Sequence, residues 1–362
     1  MQLITSLPLT MFSSQIPTLE FSDVGEEPVG IIVSCEGYEV LNTSIYPVGN
    51  GMYVHDLRIL IEECMREHDL TYTTMEIEIG EYIWENYVLY CPQNAAQDAA
   101  MFAGSHFLTT LNVKRVPADW RSNGEKLAFL RTAAEESGSI TVSLTATFLS
   151  PDSSVLTLAC QYTLAREYGV TTINTSPSEV LSVFSENYSG SMTYGWENVE
   201  ILSYTIAVGS RSFTYYVDRD FEPQHSFVFR NVFNVEEYAY LEGVTVTKTE
   251  TERSLATSHG VSMFYDQVDE QENEVTTAPL TTTEATWMTQ LLLSHRVKRL
   301  NEGGSTVEVL VTDMTAEVTD SDEEHRRLKF SYREKKLGAT LTAFEEIAHG
   351  RRFTAHYTRQ YD

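Results

Sequence analysis

Short runs of alternating apolar and polar residues, each closed by a turn sequence, most strongly limit how this chain can fold. In SITVSLTATFLSPDSSVLTLACQYTL, two such runs flank the turn sequence at 150–153. Period-two alternation sends successive side chains to opposite faces of a strand. Similar runs recur along the chain, and Thr, Val and Tyr are abundant in them, which favours sandwiches or barrels over alternating strand–helix units. We therefore predict a mainly β protein of two tandem β-sandwich or barrel-like domains, with one or two short helices.

The same pattern suggests how the 362 residues are divided, since a chain of this length can form two separate cores. We predict an N-terminal arm at 1–20 and a first β-rich domain at 21–168. A connector follows at 169–198, where Ser, Thr, Asn and Gly are frequent. The second β-rich domain is predicted at 199–362.

Two segments have the period of a helix rather than that of a strand. Residues 54–68 place apolar side chains at helical spacing, and 285–293 do the same after Thr283, a residue suited to capping a helix. The sequence SEVLSVF within the connector indicates a helical turn. Residues 266–284 are acidic and are interpreted as a loop leading into the second helix.

Two distant segments also resemble one another. YVLYCPQNAAQDAAMFAG begins at Tyr87, and FVFRNVFNVEEYAYLEG begins at Phe227. Internal repetition is a sign of duplicated modules, whereas chance likeness between two strand–turn segments is the alternative explanation. At a constant offset, identical residues align as follows: Val88 with Val228, Asn94 with Asn234, and Ala99 with Ala239.

Charge excludes one class of function and bears on several others. The chain has 52 acidic and 25 basic residues, for a net charge of −27. Such a field repels phosphate backbones, so we expect no nucleic-acid partner, although a basic protein surface would be complementary. The first residues lack the pattern of a signal peptide, and no run is long enough to span a membrane, so we expect synthesis in a cytoplasm. Without CxxC spacing, the cysteines are expected to be free thiols: Cys35, Cys64, Cys91 and Cys160.

Motifs for metal and nucleotide chemistry are missing from the sequence. No two histidines have the HExxH spacing, and His55 and His68, which flank the first predicted helix, are expected to have surface or capping roles. The acidic stretch 320–324 offers oxygen ligands, but His325 stands where an EF-hand loop needs Gly, so a solvated hairpin tip is expected. GxGxxG, GxxxxGK[ST] and GxSxG are all absent. We predict no catalytic, cofactor-binding or metal-binding residue.

Carboxylate pairs and tryptophans suggest two further functions. A glycosidase needs two carboxyls across a cleft, but an acidic chain supplies adjacent pairs by chance. These pairs are Glu62/Glu63, Glu135/Glu136, Glu236/Glu237, Glu323/Glu324 and Glu345/Glu346. Exposed aromatic rings can stack on sugars, so glycan binding is the alternative function, with core packing or subunit contact as the other use of these rings. The four tryptophans are Trp84, Trp120, Trp196 and Trp287.

Basic residues are concentrated near the end of this acidic chain. Complementary faces of this kind can join identical subunits head to tail into a ring, whereas surface ion pairs alone contribute little. The basic residues are Arg326, Arg327, Lys329, Arg333, Lys335, Lys336, Arg351 and Arg352.

Several strings resemble a known family. FLTTLNVKRV, followed by GEKLAFL and two alternating strands, resembles one module of virion proteins from tailed phages of gut Bacteroidetes. FVFRNVFNVEEYAYLEG is similar to a strand of the companion module, and LLLSHRV, VEVLVTDMTAEVTD and RLKFSYR are similar to its closing strands. HDLRILIEE is similar to the helix before the first module. Together these strings cover most of residues 50–335, and the sequence departs from the pattern at Val232 and Phe233, where Gly and Trp are usual.

The resemblance implies a non-enzymatic structural component of a phage tail, baseplate or neck. Such a protein is made in the host cytoplasm and resides in the virion, assembled as a homo-oligomeric ring or with other virion proteins. The resemblance carries over no catalytic, cofactor-binding or metal-binding residue. A glycan-binding or adhesin-like β-sandwich protein remains the alternative, and a hydrolase using carboxylates is a third hypothesis.

Overall fold

A computed structural model of the protein describes residues 1–95, 97–118, 124–136, 138–165, 167–189, 195–258, 261–301, 304–316 and 326–335. The chain is mainly β, with several sheets in tandem, which confirms the predicted fold class. The described strands are β1 (Gln2–Leu3), β2 (Thr10–Phe12), β3 (Leu19–Ser22), β4 (Val29–Cys35), β5 (Tyr38–Ile45), β6 (Gly51–Val54), β7 (Tyr72–Ile79), β8 (Tyr82–Leu89), β9 (Val113–Pro117), β10 (Lys126–Leu130), β11 (Ile140–Leu149), β12 (Val155–Leu164), β13 (Val170–Asn174), β14 (Glu200–Val208), β15 (Arg211–Asp218), β16 (His225–Arg230), β17 (Glu236–Leu241), β18 (Gly243–Ser258), β19 (Val261–Thr277), β20 (Val297–Leu300), β21 (Thr306–Ala316) and β22 (Leu328–Glu334).

The described helices are short, the longest having 12 residues. The described α-helices are α1 (Leu57–Glu67), α2 (Ala99–Ser105), α3 (Ala133–Glu136), α4 (Pro177–Asn187) and α5 (Thr282–Leu293). The helices predicted at 54–68 and 285–293 are confirmed as α1 and α5, and the helical turn predicted in the connector is α4. Helices α2 and α3 are additional. Asp98 explains the start of α2, because its side chain accepts a hydrogen bond from the Met101 backbone N–H.

The N-terminal sheets enclose the first hydrophobic core. A five-stranded sheet has the order β2-β8-β7-β4-β5, and β1, β3 and β6 form a second sheet. Alternation in β7 buries Met75, Ile77 and Ile79, which meet the buried face of α1. The β4–β5 hairpin turns at Gly37, whose φ of 82° is open to glycine without strain. The segment predicted as an arm belongs to these sheets through β1, β2 and β3.

The central sheet has the order β12-β11-β14-β15-β9 and covers the largest core cluster. The hairpin predicted at 150–153 is confirmed, since β11 and β12 pair from Ile140–Leu164 to Leu149–Val155. The inward face of β11 buries Val142, Leu144 and Phe148 against α4 and the β10–β13 pair. The predicted connector at 169–198 thus contributes β13 and α4 to this core. The division drawn between 168 and 199 cuts through the sheet, because β11 pairs with β14 across it.

The C-terminal sheet has seven strands in the order β17-β16-β20-β21-β22-β19-β18. Helix α5 packs Trp287, Met288 and Leu291 against it. The acidic segment interpreted as a loop at 266–284 is instead strand through Thr277, followed by a short link into α5. The physical reason is its pairing with β18, whose alternating Thr residues have the period of a strand.

A buried turn after β16 joins the N-terminal and C-terminal parts. Asn234 is fully buried with φ of 59°, and its side-chain N–H groups donate to the carbonyls of Met65 and Leu70 at 3.1 and 3.0 Å. Phe233 lies beside Phe12 and Phe102 in a small cluster that links the sheets. The turn therefore satisfies carbonyls at the C-terminal end of α1, where helices leave them without partners.

The internal resemblance holds for its strand and fails beyond it. Val88 and Val228 are both buried on strands, in β8 and β16. Ala99, however, begins α2, whereas Ala239 lies in β17. The two segments share a strand pattern but not the structure that follows it.

The cap of α5 gives a first testable prediction. Thr281, not the predicted Thr283, is the N-cap: its hydroxyl accepts from the Glu284 N–H, and the Glu284 carboxylate accepts from the Thr281 N–H at 2.9 Å. A capping box of this kind needs a Ser or Thr three residues before the Glu, and Thr281 has that place. Thr281→Ala is expected to lower the free energy of unfolding by about 1 kcal/mol. Thr283→Ala, the matched control, is expected to change it by less than about 0.5 kcal/mol in urea denaturation; equal losses would contradict the assignment.

Candidate functional site

Lys114 and Glu125 form a buried ion pair where the central sheet meets α5. The Lys114 Nζ lies 2.5 Å from the Glu125 Oε1, and the two side chains are 9% and 4% exposed. The ammonium also donates to the Tyr238 carbonyl at 2.6 Å. It lies 5.3 Å from the ring centroid of Tyr240 and 5.4 Å from that of Trp287, so two aromatic faces add to its stabilisation.

A second buried carboxylate completes this cluster. Glu237 accepts hydrogen bonds from the Asn231 side-chain amide at 2.8 Å and from the Trp287 indole N–H. Its neighbour Glu236 faces the other way, toward Lys298. The adjacent pair Glu236/Glu237 therefore serves two separate contacts rather than one acid–base site.

Burial shifts the titration of the groups around Glu125. Burial raises the pKa of Glu125 itself, and the Lys114 ammonium opposes that rise. Burial and then the Glu125 carboxylate raise the pKa of Tyr204, Tyr215 and Tyr240. These phenols are therefore neutral at physiological pH, and they surround the ion pair with weakly polar rings.

A cavity of about 100 Å³ opens beside this cluster. One wall contains Lys114 and Arg115 of β9, and the other contains Glu284, Trp287 and Met288 of α5. The remaining lining is Leu111, Val113, Phe221, Tyr240, Leu241, Glu242, Ala278, Pro279 and Leu280. Arg115 is already engaged, with Asp218 at 2.7 Å and with the Phe221 ring at 4.1 Å. Arg115 also lies 3.9 Å from Glu242 of the lining, so both basic side chains of the lining are paired within the chain and tie β9 to its surroundings.

The histidines and acidic residues of the described part of the chain do not come together as a metal site. There, no group of three or more His, Cys, Asp and Glu side chains could hold a metal ion. His68 is the C-cap of α1 and stacks on Tyr38, in keeping with the predicted capping role. His55 stacks on Tyr53. The acidic stretch 320–324 lies outside the described residues.

The tryptophans are mostly used for packing. Trp196 packs on Phe148, and its indole N–H donates to the Tyr188 carbonyl. Trp287 is 6% exposed in the core of the C-terminal sheet. Trp84 is half-buried and stacks on Tyr82, which is 51% exposed. Trp120 lies outside the described residues, so the four rings do not form one stacking surface within the described chain.

The longest hairpin extends beyond its sheet. β18 and β19 pair from Gly243–Thr277 to Ser258–Val261, with one register shift between Ser254 and Leu255. β19 pairs with β22 only from Asn273 to Thr276. Residues 248–258 and 261–272 thus form a two-stranded ribbon that pairs with no other strand of the described residues. We call this segment the ribbon.

Basic residues near the end are partly neutralised within the chain. Lys329 forms an ion pair with Glu274 at 2.5 Å, and Lys335 forms one with Glu308 at 3.0 Å. These contacts attach β22 to β19 and β21, so part of the charge predicted to face a neighbour is used internally. Lys336, Arg351 and Arg352 lie outside the described residues.

No family model and no curated protein matches the chain. Among solved structures, the crystal structure of CBD12 from CALX1.2 is similar to 55% of this chain and 76% of that chain, at 10% identity and a TM-score of 0.16. Similarity at this level supports no argument about function. Among the described residues, no helix has the length and apolarity needed to cross a membrane.

Proposed function

We propose that the chain is a non-enzymatic structural subunit of a phage virion, in the tail, baseplate or neck. It is made in the host cytoplasm and is held in the particle by contacts with further copies and with other virion proteins. The sequence resemblance of residues 50–335 supports the phage assignment. The mainly β architecture is compatible with it, because strands and their edges supply contacts between subunits.

The ribbon is the observation that carries the proposal. At about 3.3 Å per residue, residues 248–258 extend roughly 35 Å along β18. An isolated two-stranded hairpin is marginally stable in water and gains stability from a third strand or a packed surface. Both outer edges of the ribbon have backbone groups that can pair with another strand. A ribbon of this length is therefore suited to contact a neighbouring subunit.

Charge limits which partners the ribbon and the rest of the surface can meet. At −27, two copies repel one another except where their surfaces are neutral or of opposite sign. The same field opposes contact with packaged nucleic acid. The partners that suit this chain are therefore proteins, joined at defined patches.

Removing the ribbon tests the proposal. We expect a variant in which Asn-Gly replaces residues 248–272, joining the paired residues Thr247 and Asn273, to fold and yet be absent from particles. Electron microscopy and protein analysis of purified particles, made with the variant or the intact chain, measure incorporation. A control replaces the turn Ser150–Ser154 with the same Asn-Gly and is expected to be incorporated. Absence of the intact chain from every particle would overturn the proposed function. Full incorporation of the shortened variant would show that the ribbon is not needed for assembly into the particle.

A further inference from the structure

Apart from Glu200 and Asp218 at one corner, the outward face of the central sheet has no charged side chain across four strands. Its inward face covers the core, so the alternate residues of β12, β11, β14 and β15 face outward. We call this surface the uncharged face. Its residues are Thr141, Ser143, Thr145, Thr147, Leu149, Val155, Thr157, Ala159, Gln161, Thr163, Ser203, Thr205, Ala207, Ser212, Thr214 and Tyr216.

The neutrality of this surface is unusual for this chain. Charged residues make up 21% of the sequence, and the net charge is −27. On the same side of the sheet, charges are found at one corner, where Glu200 pairs with Arg219 at 2.7 Å and Arg115 pairs with Asp218. Surfaces of soluble proteins usually mix charges of both signs. A broad patch without them therefore suggests a surface that is covered.

Six polar side chains on the face bond to one another in pairs. Thr205 and Thr214 share a hydrogen bond of 2.8 Å across β14 and β15, and Thr147 and Thr157 share one of 3.2 Å across β11 and β12. The Gln161 amide donates to the Ser143 hydroxyl at 3.1 Å. Covering a polar group is costly when it loses its only partner. Because these six groups keep partners within the sheet, covering them costs little.

We propose that the uncharged face packs against the same face of a second copy, around a two-fold axis. Four strands about 4.8 Å apart and up to ten residues long present roughly 600 Å² per copy, or about 1,200 Å² for the pair. That total exceeds the roughly 1,000 Å² expected of a specific interface. A second copy brings a neutral, partly self-bonded surface of the same size, whereas the rest of the described chain carries the charges that repel it. This inference does not rest on the proposed function.

Charge placed at the centre of the face tests the dimer. Thr145 is exposed on β11, and Thr43 is exposed on β5 of another sheet. We expect the intact chain to sediment as a dimer, and both Thr145→Glu and Thr145→Lys to weaken dimerisation at least tenfold. Thr43→Glu, which adds the same charge elsewhere, is expected to leave it unchanged. A mixture of the two Thr145 variants is expected to restore the dimer, because opposite charges then meet.

The pair of Thr145 variants separates burial from general repulsion. If only the net charge mattered, Thr145→Lys would strengthen dimerisation of a −27 chain. Circular dichroism and the melting temperature check that each variant folds. If a Thr145 variant does not fold, Thr157→Glu, which adds charge to the same face on β12, is tested in its place. A monomeric intact chain at about 100 μM would overturn the proposal, as would equal dimerisation of Thr145→Glu and Thr43→Glu. Binding of a neutral polysaccharide such as dextran by a monomeric chain, lost in Thr145→Glu, would assign the face to glycans instead.

Discussion

Lys114→Met is expected to lower the free energy of unfolding by about 3–5 kcal/mol, because it leaves the buried Glu125 carboxylate without its cation. The Tyr238 carbonyl also loses a donor. Urea denaturation, followed by circular dichroism, measures the change. The matched control is Lys335→Met: that ion pair with Glu308 is 60% and 38% exposed, so we expect a loss below about 1 kcal/mol.

The double variant Lys114→Met/Glu125→Gln separates the charge from the shape of the site. Glutamine keeps the size of Glu125 and a hydrogen-bonding group beside Tyr240, and it removes the buried charge. We expect it to recover at least half of the stability lost in Lys114→Met, because replacing both members of a buried pair is much less costly than removing one. If the double variant instead loses as much stability as the two single variants Lys114→Met and Glu125→Gln lose together, the ion-pair explanation is contradicted.

Asn234→Ala is expected to cost about 2–4 kcal/mol, since two effects combine at this position. The carbonyls of Met65 and Leu70 lose a buried donor, at about 1–3 kcal/mol. Alanine must also adopt the left-handed φ of 59°, at about 1–2 kcal/mol. Urea denaturation measures the loss, and hydrogen exchange at the end of α1 is expected to increase with it.

Asn234→Gly separates the loss of the side-chain donor from the cost of the left-handed backbone. Glycine accepts the left-handed backbone, so we expect it to be more stable than Asn234→Ala by about 1 kcal/mol while the donor remains lost. Asn42→Ala, on the exposed strand β5, serves as the surface control, with an expected change within about 0.5 kcal/mol. An Asn234→Ala variant as stable as this control would show that the turn does not hold the N-terminal and C-terminal parts together.

Period and turn chemistry predicted the local elements of the fold well. The hairpin of β11 and β12 followed from strict alternation around a turn sequence, and α1 followed from apolar residues at helical spacing. The cap of α5 was misplaced by two residues, because three consecutive threonines precede Glu284 and only geometry shows which one bonds to it. Pairing between distant strands was not predicted, since alternation specifies a face and not a neighbour.

The buried cluster left only a faint sign in the sequence. Lys114 has the same parity along β9 as Val116, which is fully buried, so alternation places the lysine inward. Its partner Glu125 lies at the end of a sequence predicted to be a turn. Because the chain has 52 acidic residues, one more at such a position gives no sign that it is buried. Glu237, Trp287 and Asn231 come together only through tertiary packing.

The parallel pairing of β9 with β15 has a consequence for each newly made chain. Val113 pairs with Thr214, so the partner of β9 is synthesised roughly a hundred residues later, which takes about 5–20 s at ordinary translation rates. Glu125 follows Lys114 early, but the Tyr238 carbonyl that completes the ammonium's contacts emerges later still. During that interval β9 has an open edge, the condition under which nascent chains pair with neighbours or aggregate. The order of synthesis thus leaves this edge strand, the first of its sheet to be made, unpaired until β15 has emerged.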